Sequence, residues 1–508
     1  MATGHVTPDV EPADAHNAEL VNQTHPPEWV NPEPADRYNL VVIGAGTAGL
    51  VTAGAAATLG ARVALVERHL MGGDCLVAGC VPSKALIRAA RAADEVRRAN
   101  RFGVEVPAGF TVDFAAVMAR VRAVRAGIAP HDSARRFADL GADVFFGEGR
   151  FVDAETVEVG ETRLRFRHAV IATGASAAVP PIPGLAEAGY LTNETIWSLT
   201  ERPARLAVIG GGPIGCELAQ AFQRLGSQVA LFEQGAQLMP KEDGDIAQCV
   251  HTALERDGVL VQTGAAVQRV EPGKRLVYTQ RDTAYVFDAD AILVAVGRRP
   301  NVDGLGLEAA GVACTERGVT VDDYLRTTCR RIFAAGDVAS PYQFTHAADF
   351  AARTVIRNSL FGWLPGHARA SKLLIPWVTY TAPEVAHVGL NERIAAERGI
   401  AIDTYTLSLE EHDRAMIDGA THGMLKLHTR RGSGRIVGGT YVAAHAGESI
   451  GVLTQAIQHG RTIGELGKVI QPYPTTAELF RYMGDEATRR RLSPRLLGML
   501  QRFFAWQR

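Results

Sequence analysis

LVVIGAGTAGL, residues 40–50 of a 508-residue chain, is an apolar strand that runs into a Gly-x-Gly-x-x-Gly loop. An alanine-rich segment typical of a helix follows, up to Leu59. In this pattern Gly44 makes a tight turn, Gly46 lets the backbone approach a pyrophosphate, and Gly49 lets the helix pack on the strand. The stretch therefore predicts a Rossmann-type dinucleotide site.

The next strand supplies an acid at the position that such a site requires. Residues 62–66 are predicted to form a strand, and Glu67 follows it. About 20 residues beyond the glycines, the fingerprint has an acid that binds a ribose hydroxyl. A lone Gly-x-Gly-x-x-Gly is weak evidence, whereas strand, loop, helix, strand and acid in this order are strong evidence.

The same unit occurs a second time. LAVIGGGPIGCE, residues 206–217, is again a strand, a glycine loop and the start of a helix, and the strand at 228–232 leads to Glu233. The loop glycines are Gly210, Gly212 and Gly215. Glu233 would accept a hydrogen bond from a ribose 2′-hydroxyl and repel a 2′-phosphate, which favours NADH over NADPH. Lys241 is close enough in sequence to keep NADPH as an alternative.

Two cysteines lie shortly after the first unit. GGDCLVAGCVPSK, residues 72–84, contains Cys75 and Cys80 after a glycine pair and before a proline. The spacing suits a short disulfide at the start of a helix, where the helix dipole stabilises a thiolate. Zinc would need two more ligands at knuckle spacing, and none is nearby. We predict a redox-active pair and no structural metal, with the two cysteines as transient ligands if a metal ion is the substrate.

Taken together, these stretches resemble the flavoprotein disulfide reductases, the class I pyridine nucleotide-disulfide oxidoreductases. They are most similar to mercuric-reductase-like proteins and are related to dihydrolipoyl dehydrogenase and glutathione reductase. The family's redox motif is GGTCxxxGCxPSK, and this chain has Asp74 where threonine is usual. The resemblance, over about residues 37–485, implies an α/β fold with two Rossmann-like nucleotide-binding domains and a C-terminal α+β dimerisation domain. It also implies FAD, NADH or NADPH, and a homodimer.

The resemblance also implies a role for individual residues. Cys80 would face the flavin as the charge-transfer thiolate, and Cys75 would meet the substrate. Lys84 and Glu217 would pair near flavin N5, and Asp337 would bind the ribityl hydroxyls. The other residues that the resemblance places at the cofactors are Gly73, Ala172, Thr173, Gly174, Gly297, Arg298 and Gly336.

The domain order follows from the same comparison of motifs. Residues 1–36 are rich in polar residues and proline, and such a composition predicts a flexible tail. The parts that follow are the FAD-binding domain in two pieces (37–190 and 310–372), the NAD(P)-binding domain (191–309), the dimerisation domain (373–488) and a basic amphipathic C-terminal tail (489–508). A helical segment near residue 120 carries Arg120, Arg122 and Arg125, which are expected to form a solvated face.

The C-terminal tail has its own pattern. Leu496, Leu500 and Phe503 recur at helical spacing among several arginines. A basic amphipathic helix of this kind lies on an anionic membrane or binds a partner. Docking on the protein's own dimer is the alternative.

One motif departs from that of the disulfide-reducing relatives. Their His-Pro-Thr-x-x-Glu is replaced by YPTTAE, residues 473–478, so that Tyr473 stands in place of the histidine and Glu478 is kept. A phenol with a pKa near 10 is a poor base at neutral pH, whereas imidazole titrates there. We therefore expect slow exchange with disulfides, while a soft metal ion needs thiolate ligands more than a proton shuttle. Alternatively, Tyr473 only packs at the dimer seam.

The bulk properties exclude several classes of protein. A net charge of −2 argues against binding of nucleic acid. No apolar run approaches the roughly 20 residues that span a bilayer, and the N-terminus lacks the apolar core of a signal peptide. A reducible cysteine pair suits a reducing compartment, so a cytoplasmic location is expected.

The sequence thus predicts an FAD-dependent NAD(P)H oxidoreductase that reduces a soft metal ion or a thiol/disulfide-type acceptor. Mercury is not singled out as the substrate, because no cysteine follows Cys329 and residues 1–36 contain none. The alternatives are a disulfide reductase similar to dihydrolipoyl dehydrogenase and a non-catalytic flavin redox sensor with a membrane partner.

Overall fold

The computed structural model describes residues 7–508, which belong to two compact units. The first unit runs through Gln234 and resumes over Gly258–Leu373, and the second contains Gly235–Asp257 and Leu374–Arg508. The segment Gly235–Asp257 thus groups with the C-terminal unit, whereas the sequence placed it in the NAD(P)-binding domain. The other predicted domain boundaries remain predictions.

The helices vary from single turns to five turns. In chain order they are α1 (Ala15–Thr24), α2 (Thr47–Thr58), α3 (Gly73–Val77), α4 (Cys80–Arg97), α5 (Phe114–Ile128), α6 (Ala134–Asp139), α7 (Leu185–Ala188), α8 (Pro213–Arg224), α9 (Gly244–Arg256), α10 (Thr345–Leu360), α11 (Glu392–Glu397), α12 (Asp413–Ile417), α13 (Ala446–Gln458), α14 (Ile463–Leu466), α15 (Glu478–Arg491) and α16 (Pro494–Trp506).

The strands are mostly short. In chain order they are β1 (Tyr38–Ile43), β2 (Val63–Glu67), β3 (Ala142–Phe146), β4 (Gly149–Asp153), β5 (Thr156–Val159), β6 (Thr162–Ile171), β7 (Ala175–Ala177), β8 (Arg205–Ile209), β9 (Gln228–Glu233), β10 (Leu260–Thr263), β11 (Ala265–Glu271), β12 (Arg275–Gln280), β13 (Thr283–Asp288), β14 (Ala291–Val294), β15 (Arg298–Pro300), β16 (Cys314–Thr315), β17 (Gly318–Val319), β18 (Ile332–Ala334), β19 (Trp377–Thr379), β20 (Glu384–Gly389), β21 (Ile402–Ser408), β22 (Met424–Arg430) and β23 (Ile436–Ala443).

The first sheet is the predicted Rossmann sheet. Its parallel strands follow the order β3-β2-β1-β6, and β18 pairs in parallel with the other side of β6. β1 and β2 are almost entirely buried, as expected for strands covered on both faces. The carboxyl ends of parallel strands meet at one edge, which in such folds is where ligands bind. β4, β5 and the first half of β6 form an antiparallel meander.

The second nucleotide-binding unit has a smaller sheet. Its four parallel strands follow the order β10-β9-β8-β14, and β11, β12 and β13 form a separate antiparallel sheet. The C-terminal unit has a five-stranded sheet in the order β19-β20-β23-β22-β21. Its core joins the sheet to α13 and α15 through buried apolar side chains such as Leu427, Leu453 and Phe480. The predicted fold class is confirmed.

Two predictions are wrong, one about the N-terminal segment and one about the arginines near residue 120. Part of the predicted flexible tail is helix α1, in which Leu20 and Val21 pack with Leu70 and Leu76 of the redox motif's surroundings. Two of the three arginines predicted to be solvated are buried instead. Arg122 binds Asp14 at 2.5 Å, and Arg125 donates to Asn17 and to the Val77 carbonyl. Composition and periodicity missed this packing because the polar residues of α1 bind these arginines.

The C-terminal tail is helical. α15 continues through the predicted boundary at residue 488, and α16 is the predicted amphipathic helix. No residue of α16 is buried. Within residues 7–508, no helix is long and apolar enough to cross a membrane.

Candidate active site

The redox motif lies directly against the first glycine loop. Cys75 is on the short helix α3, and Cys80 is the first residue of α4. Gly73 has a positive φ of 54°, and a Cβ there would lie 2.6 Å from the Cα of Gly46. No side chain fits at residue 73, so the cysteine-bearing backbone contacts the phosphate loop.

The two thiols are present in the free form and interact with each other. A hydrogen bond from Cys75 is the main reason that the pKa of Cys80 is lowered to about 6, and this bond together with burial raises the pKa of Cys75 well above its usual range. The Thr345 hydroxyl, at the first residue of α10, lies 3.3 Å from the Cys80 sulfur and further favours its thiolate. These contacts favour a thiolate at Cys80 over one at Cys75.

The predicted lysine–glutamate pair joins α4 to α8. The Lys84 ammonium lies 2.8 Å from the carboxylate of Glu217, whose side chain is buried. The charge of Lys84 also favours the Cys80 thiolate. The structure thus brings these three predicted site residues into one neighbourhood.

Both glycine loops are tightly packed at the third glycine and open at the middle glycine, where a dinucleotide would bind. A Cβ at Gly49 would lie 1.8 Å from the Gly44 carbonyl oxygen, and one at Gly215 would lie 1.9 Å from the Gly210 carbonyl oxygen. At Gly212 a Cβ would meet nothing within 4 Å. Position 46 is nearly as open, with the Gly73 Cα at 3.8 Å as the only neighbour. Each middle glycine caps a helix whose first N–H groups suit a phosphate, so the loops fit FAD and NAD(P)H.

The two strand-end acids anchor these loops. The carboxylate of Glu67 is buried, which raises its pKa, and it accepts hydrogen bonds from Ala45 N (2.6 Å) and His69 N (2.8 Å). Glu233 likewise accepts one from Gly211 N at 2.7 Å. A carboxylate oxygen can accept a second hydrogen bond. Both acids are therefore placed to bind a ribose hydroxyl as well.

The remaining predicted FAD residues follow the strand ends. Ala172, Thr173 and Gly174 come directly after β6, and Thr173 donates to the Asn301 carbonyl at 2.7 Å. Gly297 precedes β15, while Gly336 and Asp337 follow β18. Burial raises the pKa of Asp337, and Arg298 opposes this rise.

Arg298 connects this edge to the redox motif. It lies 2.7 Å from the carboxylate of Asp74 and 3.6 Å from that of Asp337, and it also donates to the Ala175 carbonyl. Its Nε is buried and has no hydrogen-bond partner among the described residues. This donor is available to a group bound at the edge, which again fits FAD. Sequence reasoning noted Asp74 as a departure from the family motif but missed its partner.

Tyr473 and Glu478 of the C-terminal motif have different hydrogen-bond partners. Tyr473 is exposed, and its hydroxyl donates to the carboxylate of Asp413 at 3.1 Å, which raises its pKa. Glu478 is buried and accepts a hydrogen bond from the Tyr482 hydroxyl at 3.4 Å. Tyr473 and Glu478 thus bind different residues, and the Tyr473 hydroxyl is ionised even less at neutral pH than a free phenol.

A histidine that the sequence did not single out lies near this motif. His412 is buried, and its ring contacts that of Tyr482 at a centroid distance of 5.9 Å. Neither ring nitrogen has a hydrogen-bond partner among the described residues. Burial lowers its pKa, and the charge of Glu478 acts in the opposite direction. No local signal could have found it, because it is 61 positions from Tyr473.

Comparison with known proteins decides the family. The sequence pattern of the family described as "Pyridine nucleotide-disulphide oxidoreductase" matches residues 38–352, and that of its dimerisation domain matches residues 375–483. The chain belongs to this family. As a member it is an oxidoreductase that uses FAD and NAD(P)H, and its dimerisation domain makes it a homodimer.

The similar proteins include family members with different activities. The chain is 34% identical to a mercuric reductase of Bacillus cereus over 92% of its length and 74% of the relative's. It is 32% identical to a dihydrolipoyl dehydrogenase of Chlamydia muridarum, over 88% and 96% of the two chains. Among solved structures, the HOCl-induced flavoprotein disulfide reductase RclA of Escherichia coli gives a TM-score of 0.78 at 29% identity, over 88% of this chain and 99% of RclA.

Within the described part of the chain, no group of three or more His, Cys, Asp or Glu side chains could hold a metal ion.

Proposed function

We propose that the protein is an NADH-preferring reductase whose Cys75–Cys80 pair passes electrons to a soft metal ion. The observation that carries this proposal is the combination of an acidic Cys80 thiol with a tyrosine at position 473, whose hydroxyl is bound to Asp413. Thiolates are the ligands that soft metal ions prefer. A weak base at position 473 hinders exchange with organic disulfides, which needs a proton for the leaving thiol.

The chain's residues support the two half-reactions as follows. FAD held at the first glycine loop would supply the chemistry of the first half-reaction, in which a hydride from NADH provides the two electrons that reduce the Cys75–Cys80 disulfide. Breaking that S–S bond gives a Cys80 thiolate, which Lys84 and Thr345 stabilise, and a Cys75 thiol that takes up one proton. When the disulfide re-forms, the two sulfurs release one proton and two electrons. One Hg(II) ion accepts both electrons, or two Cu(II) ions accept one each.

The relatives support a metal acceptor without identifying it. Mercuric reductases of several bacteria are among the similar proteins, and RclA has been solved as a Cu(II) complex with a TM-score of 0.78 to this chain. We assign Cys75 as the sulfur that meets the metal and Cys80 as the one that faces the flavin, on the basis of the family's motif.

A panel of acceptors tests the proposal. The purified holoprotein is assayed with NADH and Hg(II), Cu(II), quinones, lipoamide or glutathione disulfide at one pH. We expect turnover with the metal ions, loss of that turnover in Cys75→Ser, and slow reduction of both disulfides. Fast disulfide reduction with slow metal reduction would instead favour a disulfide reductase similar to dihydrolipoyl dehydrogenase. A single reduction without turnover on any acceptor would favour a redox sensor.

We also propose that the protein works in the cytoplasm at an anionic membrane surface, bound through α16. This helix exposes Met499, Phe503, Phe504 and Trp506 and carries no acidic residue. Its arginines complement anionic headgroups, and Trp and Phe insert at the interface. The cytoplasmic location rests on the reducible thiol pair, which needs a reducing compartment.

Vesicle sedimentation tests the membrane contact. The full-length protein is mixed with vesicles of phosphatidylglycerol and phosphatidylcholine, or of phosphatidylcholine alone. We expect binding to the anionic vesicles that falls with salt and is lost in Phe503→Ser/Trp506→Ser. Retention of binding in that variant, or equal binding to neutral vesicles, would contradict the proposal. A change of the dimer's stability in the variant, without vesicle binding by the wild type, would show that α16 docks on the dimer.

A further inference from the structure

Asp74 departs from the family's threonine at a position inside the redox motif, immediately before Cys75. Its carboxylate has two polar partners. One oxygen lies 2.7 Å from Arg298, and the other accepts a hydrogen bond from Asn193 at 3.3 Å. Its Oδ2 also lies 3.0 Å from the place where a Cβ on Gly79 would be, so the side chain crosses the loop that joins the two cysteines.

Arg298 is shared by two carboxylates. Its side chain is only 10% exposed, and the Asp337 carboxylate lies 3.6 Å away on its other side. With threonine at position 74, the guanidinium would keep Asp337 as its only carboxylate partner among these contacts. Its positive charge would then be less compensated.

The charged and polar groups that act on Cys80 are known from the structure. Cys75, Thr345 and Lys84 favour its thiolate, whereas Asp74 disfavours it. Lys84 is itself compensated by Glu217. These three residues favour the Cys80 thiolate, and Asp74 is the acid of the redox motif that opposes them.

We propose that Asp74 is a positioning residue that holds Arg298 between two carboxylates and thereby sets the charge balance at the Cys75–Cys80 pair. The inference rests on the proposed function, in which Cys80 is the flavin-side sulfur. Replacing Asp74 by a neutral residue removes a negative charge and also frees the charge of Arg298. Both changes stabilise the thiolate and the reduced state.

The test is a pH titration of the reduced holoprotein. The long-wavelength absorbance that a thiolate gives beside oxidised flavin is followed in the wild type, Asp74→Asn and Asp74→Thr. We expect the midpoint to fall by about one pH unit in both variants, since an acid whose carboxylate lies against Gly79, the residue before Cys80, has been removed. The midpoint potential of the thiol pair should also become more positive. Asp74→Asn keeps the shape of the side chain, and Asp74→Thr restores the residue usual in the family.

Asp132→Asn is the matched control. Asp132 is another acid beside the motif, but it acts on Cys75. Its replacement should leave the midpoint unchanged. An unchanged or higher midpoint in both Asp74 variants would overturn the inference while leaving the proposed function intact.

Absence of the absorbance band in the wild type would instead refute the proposed function. The inference is then tested by the pH dependence of iodoacetamide labelling at Cys80, followed by mass spectrometry of the reduced protein. The same downward shift in the Asp74 variants is expected, and its absence overturns the inference.

Discussion

The Nζ atom of Lys84 lies 2.8 Å from Oε2 of Glu217, and this ion pair connects the helix that begins at Cys80 with the helix that begins at the second glycine loop. The sequence positions of the two residues are 133 apart. The pair therefore connects the thiol motif with the second glycine loop, the predicted site of the pyridine nucleotide. Its two members should act on Cys80 with opposite signs.

Lys84→Met should raise the pKa of Cys80, because the ammonium favours the thiolate. Glu217→Gln should lower this pKa, because the charge of Lys84 is then less compensated. Shifts of about one pKa unit are typical of a charge that neighbours the titrating group. The measurement is the pH midpoint of thiolate absorbance in the reduced protein, with Lys84→Arg as the charge-preserving control. Shifts of the same sign in both variants would contradict this account.

Glu233 should determine the preference between the two nicotinamide coenzymes. Its carboxylate is held on the second glycine loop by Gly211 N and would repel a 2′-phosphate. We expect a higher kcat/KM with NADH than with NADPH, and a reversal of this preference in Glu233→Arg. Lys241→Ala serves as the control, because the sequence left Lys241 as the cation that would otherwise accommodate NADPH. A wild type that uses NADPH as well as NADH would refute the role of Glu233.

Tyr473→His should improve reduction of lipoamide and glutathione disulfide. An imidazole titrates near neutral pH, whereas the hydrogen bond to Asp413 raises the pKa of the present phenol. A positioned general base contributes about 10²–10⁴-fold to a rate, so even a partial gain is measurable. Tyr473→Phe is the control and should leave the slow disulfide rates as they are.

The outcome of this substitution also tests the role of His412. Fast disulfide reduction by the wild type, unchanged in Tyr473→His, would show that another residue supplies the proton. His412 would then be the first residue to replace, since it is buried next to Tyr482, the residue that binds Glu478.

Lys426 should be essential for the stability of the C-terminal unit. Its side chain is 4% exposed and lies 3.1 Å from the Asp243 carboxylate, whose pKa is lowered in part by His428, 3.7 Å away, and by Lys426. Removing one member of a buried ion pair costs about 3–5 kcal/mol, because the other charge is left uncompensated. We expect Lys426→Met to lower the thermal unfolding midpoint strongly. Arg461→Ala, which breaks an exposed pair with Glu465, should change this midpoint little, because surface ion pairs contribute little to stability.

Local patterns predicted the two nucleotide units correctly because their physics is local. In each, an apolar strand, a glycine loop and a helix follow one another within about a dozen residues, and the acid comes one strand later. The positions of Gly44, Gly210, Glu67 and Glu233 follow from this order. The fold class and the family followed from the same residues.

The contacts that the sequence could not predict are distant in the chain. Asp74 and Arg298 are 224 positions apart, and Arg125 binds Asn17 across 108 positions. A polar N-terminal segment was predicted to be a tail because its helix has few apolar residues, yet Leu20 is fully buried. Likewise, the spacing of Tyr473 and Glu478 matches the family motif, but each side chain binds a different neighbour. Spacing alone does not determine such pairings.

The assignment of Cys80 as the flavin-side thiolate is tested most directly by the absorbance of the anaerobically reduced holoprotein. After two-electron reduction by NADH, a long-wavelength band should appear in the wild type at pH 7 and disappear as the pH falls through about 6, the pKa of Cys80. In Cys75→Ser, which cannot form the disulfide, the band should already be present before reduction, while the flavin is oxidised, and it should be absent from Cys80→Ser. A band that survives in Cys80→Ser and is lost in Cys75→Ser would contradict the account.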